Sequence, residues 1–261
     1  MESLLVEGDP PTVRLCNPHG ASPFLLIGDH AGNEIPASLG DLGLNKTERT
    51  RHIAWDIGVE ALGQALSARL DAVFISQTWS RLVIDCNRDP ATAGAMPEVS
   101  DGTTIPGNLN LGDADRLARI EAIHEPYQAA IAAEIARRMA AGQPTILISL
   151  HSFTPIWQGT VRIWDGGVLH DGRNDAFALG LLAALQALPG MVIGDNAPYR
   201  MDTVDHTVPR HAFAANLPYA EIEIRQDQLA DPAGVELWAE RMEQALLRTL
   251  ASSEPAGATR D

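Results

Sequence analysis

Cysteine and positive charge are both scarce in this sequence, and no apolar run approaches the ~18 residues that cross a bilayer. Cys16 and Cys86 are its two cysteines, too few for a disulfide framework, and neither belongs to a pair with metal-type spacing. Lys and Arg number 19 against 34 Asp and Glu, a formal net charge of −15. That acidity argues against nucleic acid or an anionic membrane as the main partner. Neither a glycine-rich phosphate loop nor a Gly-x-Ser-x-Gly elbow is present, which removes the local signals of nucleotide binding and of serine hydrolysis. Met1 to Pro11 is acidic and lacks the basic-then-apolar order of a signal peptide, so the cytoplasm is the expected compartment.

What is present reads as an α/β chain. Of 261 residues, 45% are apolar and 20% charged, ordinary proportions for a globule with a sizeable core. Short apolar runs predict strands at 23–29, 72–78, 82–86, 160–164, 191–193 and 219–225, and a central one running through Ile148 to His151. Helical spacing predicts helices at 48–69 with Thr47 as N-cap, 113–141 with a kink at Pro126, 174–188, and 233–251. Residues 1–22 read as an irregular lead-in, and 90–111 as a long loop that is functional or mobile. Alternating strands and long helices imply one domain spanning 1–261, a mixed, mostly parallel sheet with helices on both faces. Its core covers about 23–251, and the small polar tail 252–261 is expected to be disordered.

Two of the apolar runs end in histidine, Phe24–His30 and Ile148–His151. A lone strand-end histidine is usually a hydrogen-bonded core residue, but two of them suggest ligands meeting at one sheet edge. Asp56 falls between Trp55 and Ile57 in the apolar segment of the 48–69 helix. A carboxylate there is costly unless it is paired or holds a cation, so a metal or substrate role and a structural ion pair both stand. Two imidazoles and one carboxylate, with Asp56 or Glu34 as the acid, form the ligand set of catalytic zinc. A separate carboxylate, Glu223, would then serve as general base. Arg81 and Arg88 are either solvated charges paired with Asp85 and Asp89 or, with Asn87, an anion-binding group. His124 reads as surface decoration of its helix.

Five blocks, Gly28–Pro36, Ala54–Gly58, Ser80–Arg88, Leu150–Phe153 and Glu221–Arg225, together resemble the N-formylglutamate amidohydrolase family, in family order over roughly 23–229. The resemblance implies a distant likeness to zinc carboxypeptidases and aspartoacylases, and with it a zinc-carboxypeptidase-like sheet, a single zinc, and amide hydrolysis. The implied substrate is N-formyl-L-glutamate, a small anionic N-acyl amino acid yielding formate and glutamate at the end of histidine breakdown. By the same resemblance His30, Asp56 and His151 are the metal ligands, with Glu34 as the alternative acid, and Glu223 is the catalytic base. Arg81, Asn87 and Arg88 match the carboxylate-binding block, while Arg210 and His211 match an Arg-His pair that contacts substrate or the oxyanion. Asp29 departs from the family, whose best-characterised branch has proline before the first histidine, and this opens the reading of a divergent branch with a different N-acyl amino acid. A metallocarboxypeptidase and a non-catalytic ligand binder of the same fold are the competing readings.

Overall fold

In the computed structural model, which describes residues 3–253, seven strands form one sheet. They are β1 Val13–Cys16, β2 Phe24–Gly28, β3 Val73–Gln77, β4 Ile146–Phe153, β5 Gly166–Leu169, β6 Ile193–Asp195 and β7 Tyr219–Arg225. Their spatial order is β1-β3-β2-β4-β7-β5-β6. The β3–β2, β2–β4, β4–β7 and β5–β6 pairings are parallel, while β1–β3 and β7–β5 are antiparallel. The mixed, mostly parallel sheet read from the sequence is the one observed.

Every residue of β2 and β4 is buried, because both faces of the sheet are covered. On one face Phe24, Leu26, Ile148, Leu150, Ile222 and Ile224 pack beneath α1 (Val59–Leu70), α3 (Ala176–Gln186) and α4 (Pro232–Ser253). On the other, Leu25, Ile27, Val73, Ile75 and Leu147 pack against Tyr127, Ile131 and Ile135 of α2 (Glu125–Ala140). The period-2 alternation of each strand thus divides the apolar residues between two cores.

Several elements differ from the sequence expectation. The 48–69 helix is broken: residues Lys46–Arg49 make a single turn capped by Asn45, whose side chain accepts from Glu48 N, and α1 starts only at Val59. Gly58, at φ +86°, reverses the chain between them, so Asp56 lies in a turn rather than inside a helix. Residues 82–86 form turns, not a strand. There Ser80 Oγ accepts from Leu82 N and Asp85 Oδ1 from Asn87 N, competing with any ladder. The 160–164 strand shrinks to Thr160–Val161, paired with Ile156–Trp157 in a small hairpin.

Strand β5 escaped notice because Gly166 and Gly167 carry no strand signal. A Cβ on Gly167 would lie 2.0 Å from Ala197 O. Strand β1 lies inside the predicted lead-in, at the sheet edge. The 113–141 helix is present but interrupted by a π-helical turn at Ile120–His124, just before Pro126. His124 is wholly buried rather than on the surface, its Nε2 3.2 Å from Arg88 O. Helix α4 runs through Ser253, into the predicted tail; the remainder of that tail lies outside the described residues.

Candidate active site

The carboxyl ends of the parallel strands β2, β4 and β7 meet a cavity of about 400 Å³, large enough for a small ligand. His30 follows β2, His151 lies within β4, and Glu221 and Glu223 lie within β7, in register with Ser149 and His151. Alternation sends Ile222 and Ile224 to one core, so Glu221 and Glu223 share the opposite face with His151, and all three line the cavity. Asp56 arrives from the turn before α1, fixed by its backbone N–H donating to His30 O at 2.8 Å.

His30, Asp56 and His151 each offer a ligand atom, and these atoms lie within 4.8 Å of one another. Asp56 Oδ2 is 3.0 Å from His151 Nδ1 and 3.5 Å from His30 Nδ1. Each imidazole is held from behind by another carboxylate. His30 Nε2 meets Asp85 Oδ1 at 2.7 Å, and His151 Nε2 lies 3.4 Å from Asp29 Oδ2 and 3.1 Å from Ser149 Oγ. Such backing fixes tautomer and ring orientation in metal-binding histidines. With His30 Nε2 held against Asp85, its Nδ1 is buried and has no hydrogen-bond partner among the described residues. An orphaned imidazole nitrogen facing a carboxylate at this distance fits a cation, and so does the His-Asp-His donor set. Glu34, the alternative acid, is exposed and stands outside this cluster.

The electrostatics point the same way. Burial works against charge on His151, yet Asp29 and Asp56 overcome it and hold the imidazole well above the usual histidine range. Burial also opposes ionisation of Asp56, but the two imidazoles hold its carboxyl far below the ordinary range. Positive charge is therefore favoured at this point. Glu221 and Glu223 behave oppositely: burial pushes each carboxyl up to about 8. Oε2 of each is buried without a partner among the described residues.

Residues 22–230 match the N-formylglutamate amidohydrolase family. The chain belongs to that family. The matched span contains both imidazoles, Asp56 and both β7 glutamates, and membership in the N-formylglutamate amidohydrolase family makes the chain an amidohydrolase. Among solved structures, the gene product Atu2144 from Agrobacterium tumefaciens is 34% identical, covering 96% of this chain and 99% of that one, with a TM-score of 0.93. The N-formylglutamate amidohydrolase from Ralstonia eutropha JMP134 is 20% identical, covering 93% of this chain and 98% of that one, with a TM-score of 0.74; it shares the fold. Comparison with curated proteins gives no match.

In this member of the N-formylglutamate amidohydrolase family, the residues read as carboxylate binders divide. Arg81 lines the cavity but is committed to Asp85, through Nε at 3.1 Å and Nη2, and to Asp56 Oδ1 at 3.4 Å. Asn87 also lines it, yet its Oδ1 accepts from His206 N and Thr207 N, both at 2.9 Å, and its Nδ2 donates to Asp205. It anchors the 205–207 segment. Arg88 lines the cavity beside Asp205, with Nη1 donating to Asn87 O at 2.8 Å.

Arg210 and His211 lie off the cavity lining. Arg210 pairs with Glu125 on the surface at 3.0 Å. His211 is buried, its Nε2–H donating to Gln128 Oε1 at 2.7 Å. Its hydrogen bonds connect to the site through Gln128, Thr207 and Asp29 in series. The π-helical turn Pro209–Phe213 aims both side chains at α2 and its surroundings instead.

Sequence reasoning passed over Asp29, Glu221, Arg162 and Tyr199 as working groups. Asp29 was visible as a departure from the family pattern, and Glu221 by sharing a strand face with Glu223. Nothing local marks Arg162 or Tyr199. Among the described residues no helix is long and apolar enough to cross a membrane.

Proposed function

We propose that this chain is a zinc-dependent hydrolase of the amide of a small, anionic N-acyl amino acid, N-formyl-L-glutamate foremost, releasing formate and L-glutamate. This reading puts the reaction at the end of histidine breakdown, in the cytoplasm. The observation that carries it is the convergence of His30, Asp56 and His151, with a bare Nδ1 on His30, beside the unpartnered carboxyl of Glu223.

His30, Asp56 and His151 would hold the ion, with Asp85 and Asp29 bracing the imidazoles. Bound by such a set, zinc supplies Lewis acidity toward a carbonyl oxygen and makes a water more acidic. Glu223 Oε2 accepts a proton from the attacking water and returns it to the amide nitrogen as the C–N bond breaks. Its burial keeps the carboxylate basic enough for that task, with the carboxyl pushed up to about 8. Arg81, fixed between Asp56 and Asp85, holds the acid cluster in place. The walls contributed by Phe153 and Trp157 limit the water around the reacting amide.

Metal analysis of the purified protein, combined with a screen of formylated, acetylated and succinylated amino acids beside short peptides, tests the reading. About one zinc per chain and turnover of formylated glutamate are the expected results. A metal-free active enzyme, or one that cleaves peptides in preference, would overturn it.

A further inference from the structure

Arg162 is 8% exposed, and its guanidinium is only partly used. Nη1 donates to Tyr199 Oη at 2.8 Å and reaches Thr154 O at 3.4 Å. Nε and Nη2 donate to no acceptor among the described residues. The other deeply buried arginines are provided for differently. Arg138 is paired with Glu134 and two carbonyls, and Arg119 donates to two carbonyls and Asn108 Oδ1, although its Nε is buried without a partner among the described residues.

Arg162 is instead clasped by aromatic rings, its Cζ 4.6 Å from the Tyr199 centroid, 5.3 Å from Trp157 and 5.6 Å from Phe153. Those three rings and Thr154 all line the catalytic cavity. Ring faces stabilise a cation and hold its plane, but they satisfy no N–H. The charge acts inside the cavity as well: burial raises the Glu223 carboxyl, and Arg162 works against that rise.

Arg162 stands behind three rings that line the cavity rather than among the lining residues, and the cations that do line it are less suited to an anion. Arg81 is committed to two aspartates, and Arg88 sits against Asn87 O and Asp205. Arg200 is exposed, where water competes for its charge. Arg162, mostly buried, keeps Nε and Nη2 unclaimed by any acceptor among the described residues, a fork whose geometry matches a carboxylate.

We propose that Arg162 is the carboxylate anchor of the substrate subsite, its Nε–H and Nη2–H edge held by Phe153, Trp157 and Tyr199 to grip a carboxylate of the substrate bidentately. The assignment rests on the N-acyl amino acid reading above and supplies its specificity element. Tyr199, through its hydroxyl, is a positioning residue for the guanidinium.

Two measurements on the metal-loaded full chain test it: glutarate binding by titration calorimetry, and KM for N-formyl-L-glutamate. Arg162→Gln should weaken glutarate and raise KM by roughly 10- to 100-fold, the effect of losing a charge-assisted pair, with zinc content unchanged. Arg162→Lys should fall between, since an ammonium cannot span both carboxylate oxygens. Should R162Q fail to fold, Tyr199→Phe removes only a hydroxyl, at a position 39% exposed, and is expected to weaken glutarate several-fold.

Wild-type protein that does not bind glutarate, or an R162Q or Y199F variant that binds it as tightly as wild type, overturns the anchor. Glutarate binding that depends on Arg162, without hydrolysis of any N-acyl amino acid, would retain the anchor and sink the proposed reaction. Hydrolysis with KM unchanged in R162Q would do the reverse.

Discussion

Asp56 Oδ2 lies 3.0 Å from His151 Nδ1, across 95 residues of chain. The same oxygen accepts from Ser152 N at 3.2 Å and stands 3.5 Å from His30 Nδ1. One carboxylate thus links the turn before α1, the end of β2 and the central strand. The arrangement concentrates negative charge around two imidazoles inside the protein, and that concentration is what a divalent cation would relieve.

Asp56→Asn removes that charge while keeping the shape. It should lower bound zinc from about one per chain to well below stoichiometric, measured by elemental analysis after dialysis. In the wild type, chelation should lower the melting temperature and added zinc restore it. Zinc at a thousand times its dissociation constant stabilises by about 4 kcal/mol. A melting temperature indifferent to zinc would contradict the assignment.

The carboxylates behind the imidazoles should matter almost as much. Asp85→Asn and Asp29→Asn leave every ligand in place but loosen His30 and His151, which Asp85 and Asp29 brace at 2.7 and 3.4 Å. Each is expected to weaken zinc by about 10- to 100-fold, Asp85→Asn the more because its contact is shorter. Competition with a chromogenic chelator gives both numbers.

Glu223→Gln separates binding from chemistry. The variant should retain zinc and bind glutarate while kcat falls by about 10²- to 10⁴-fold, the usual contribution of a positioned proton carrier. Turnover at the wild-type rate would move the proton transfer elsewhere, with Glu221, on the same strand face, the next group to test.

Acid stability should report on His211. Burial first, and the neighbouring Arg210 charge second, lower its pKa from 6.5 to about 4. The folded protein therefore stays unprotonated at this ring where the unfolded chain has already taken up a proton. The resulting penalty is absent above pH 6.5 and grows as pH falls toward 4, up to about 3 kcal/mol. His211→Gln keeps a donor for Gln128 Oε1 and should flatten that part of the stability profile in urea titrations. His124 and His206 are lowered as well, burial again the first cause, so some slope should persist.

Gly32 secures the turn that carries His30. A Cβ there would stand 2.0 Å from Thr78 O, a backbone atom that cannot swing aside. Gly32→Ala is expected to cost about 1–3 kcal/mol and to weaken zinc through displacement of His30, read by denaturant midpoint and metal content together.

Much of this protein was legible in the chain itself. Hydrophobic periodicity is local, and both faces of the sheet are covered, so β2, β3, β4 and β7 appear as short apolar runs and α2, α3 and α4 as helical repeats. Where side chains make local hydrogen bonds or glycines replace branched residues, the pattern fails, as at 82–86 and at β5. His30, His151 and Asp56 stood out as polar groups at the end of or within apolar runs, whereas Glu223 lay on the polar face of an alternating strand and was marked by resemblance to the family.

What the chain alone could not decide was which polar groups meet. Asp56 rather than Glu34 joins the histidines because Gly58 ends the turn before α1 and the Asp56 amide is tied to His30 O. Arg210 and His211, attractive as a pair, are turned toward α2 by a π-helical turn that no residue pattern announces. Arg162, unmarked in sequence, is set behind the cavity wall with part of its guanidinium unclaimed only when Phe153, Trp157 and Tyr199 close around it. Side-chain chemistry is written residue by residue, whereas pairing, burial and the loss of water depend on contacts between segments far apart in the chain, and those exist only in the folded molecule.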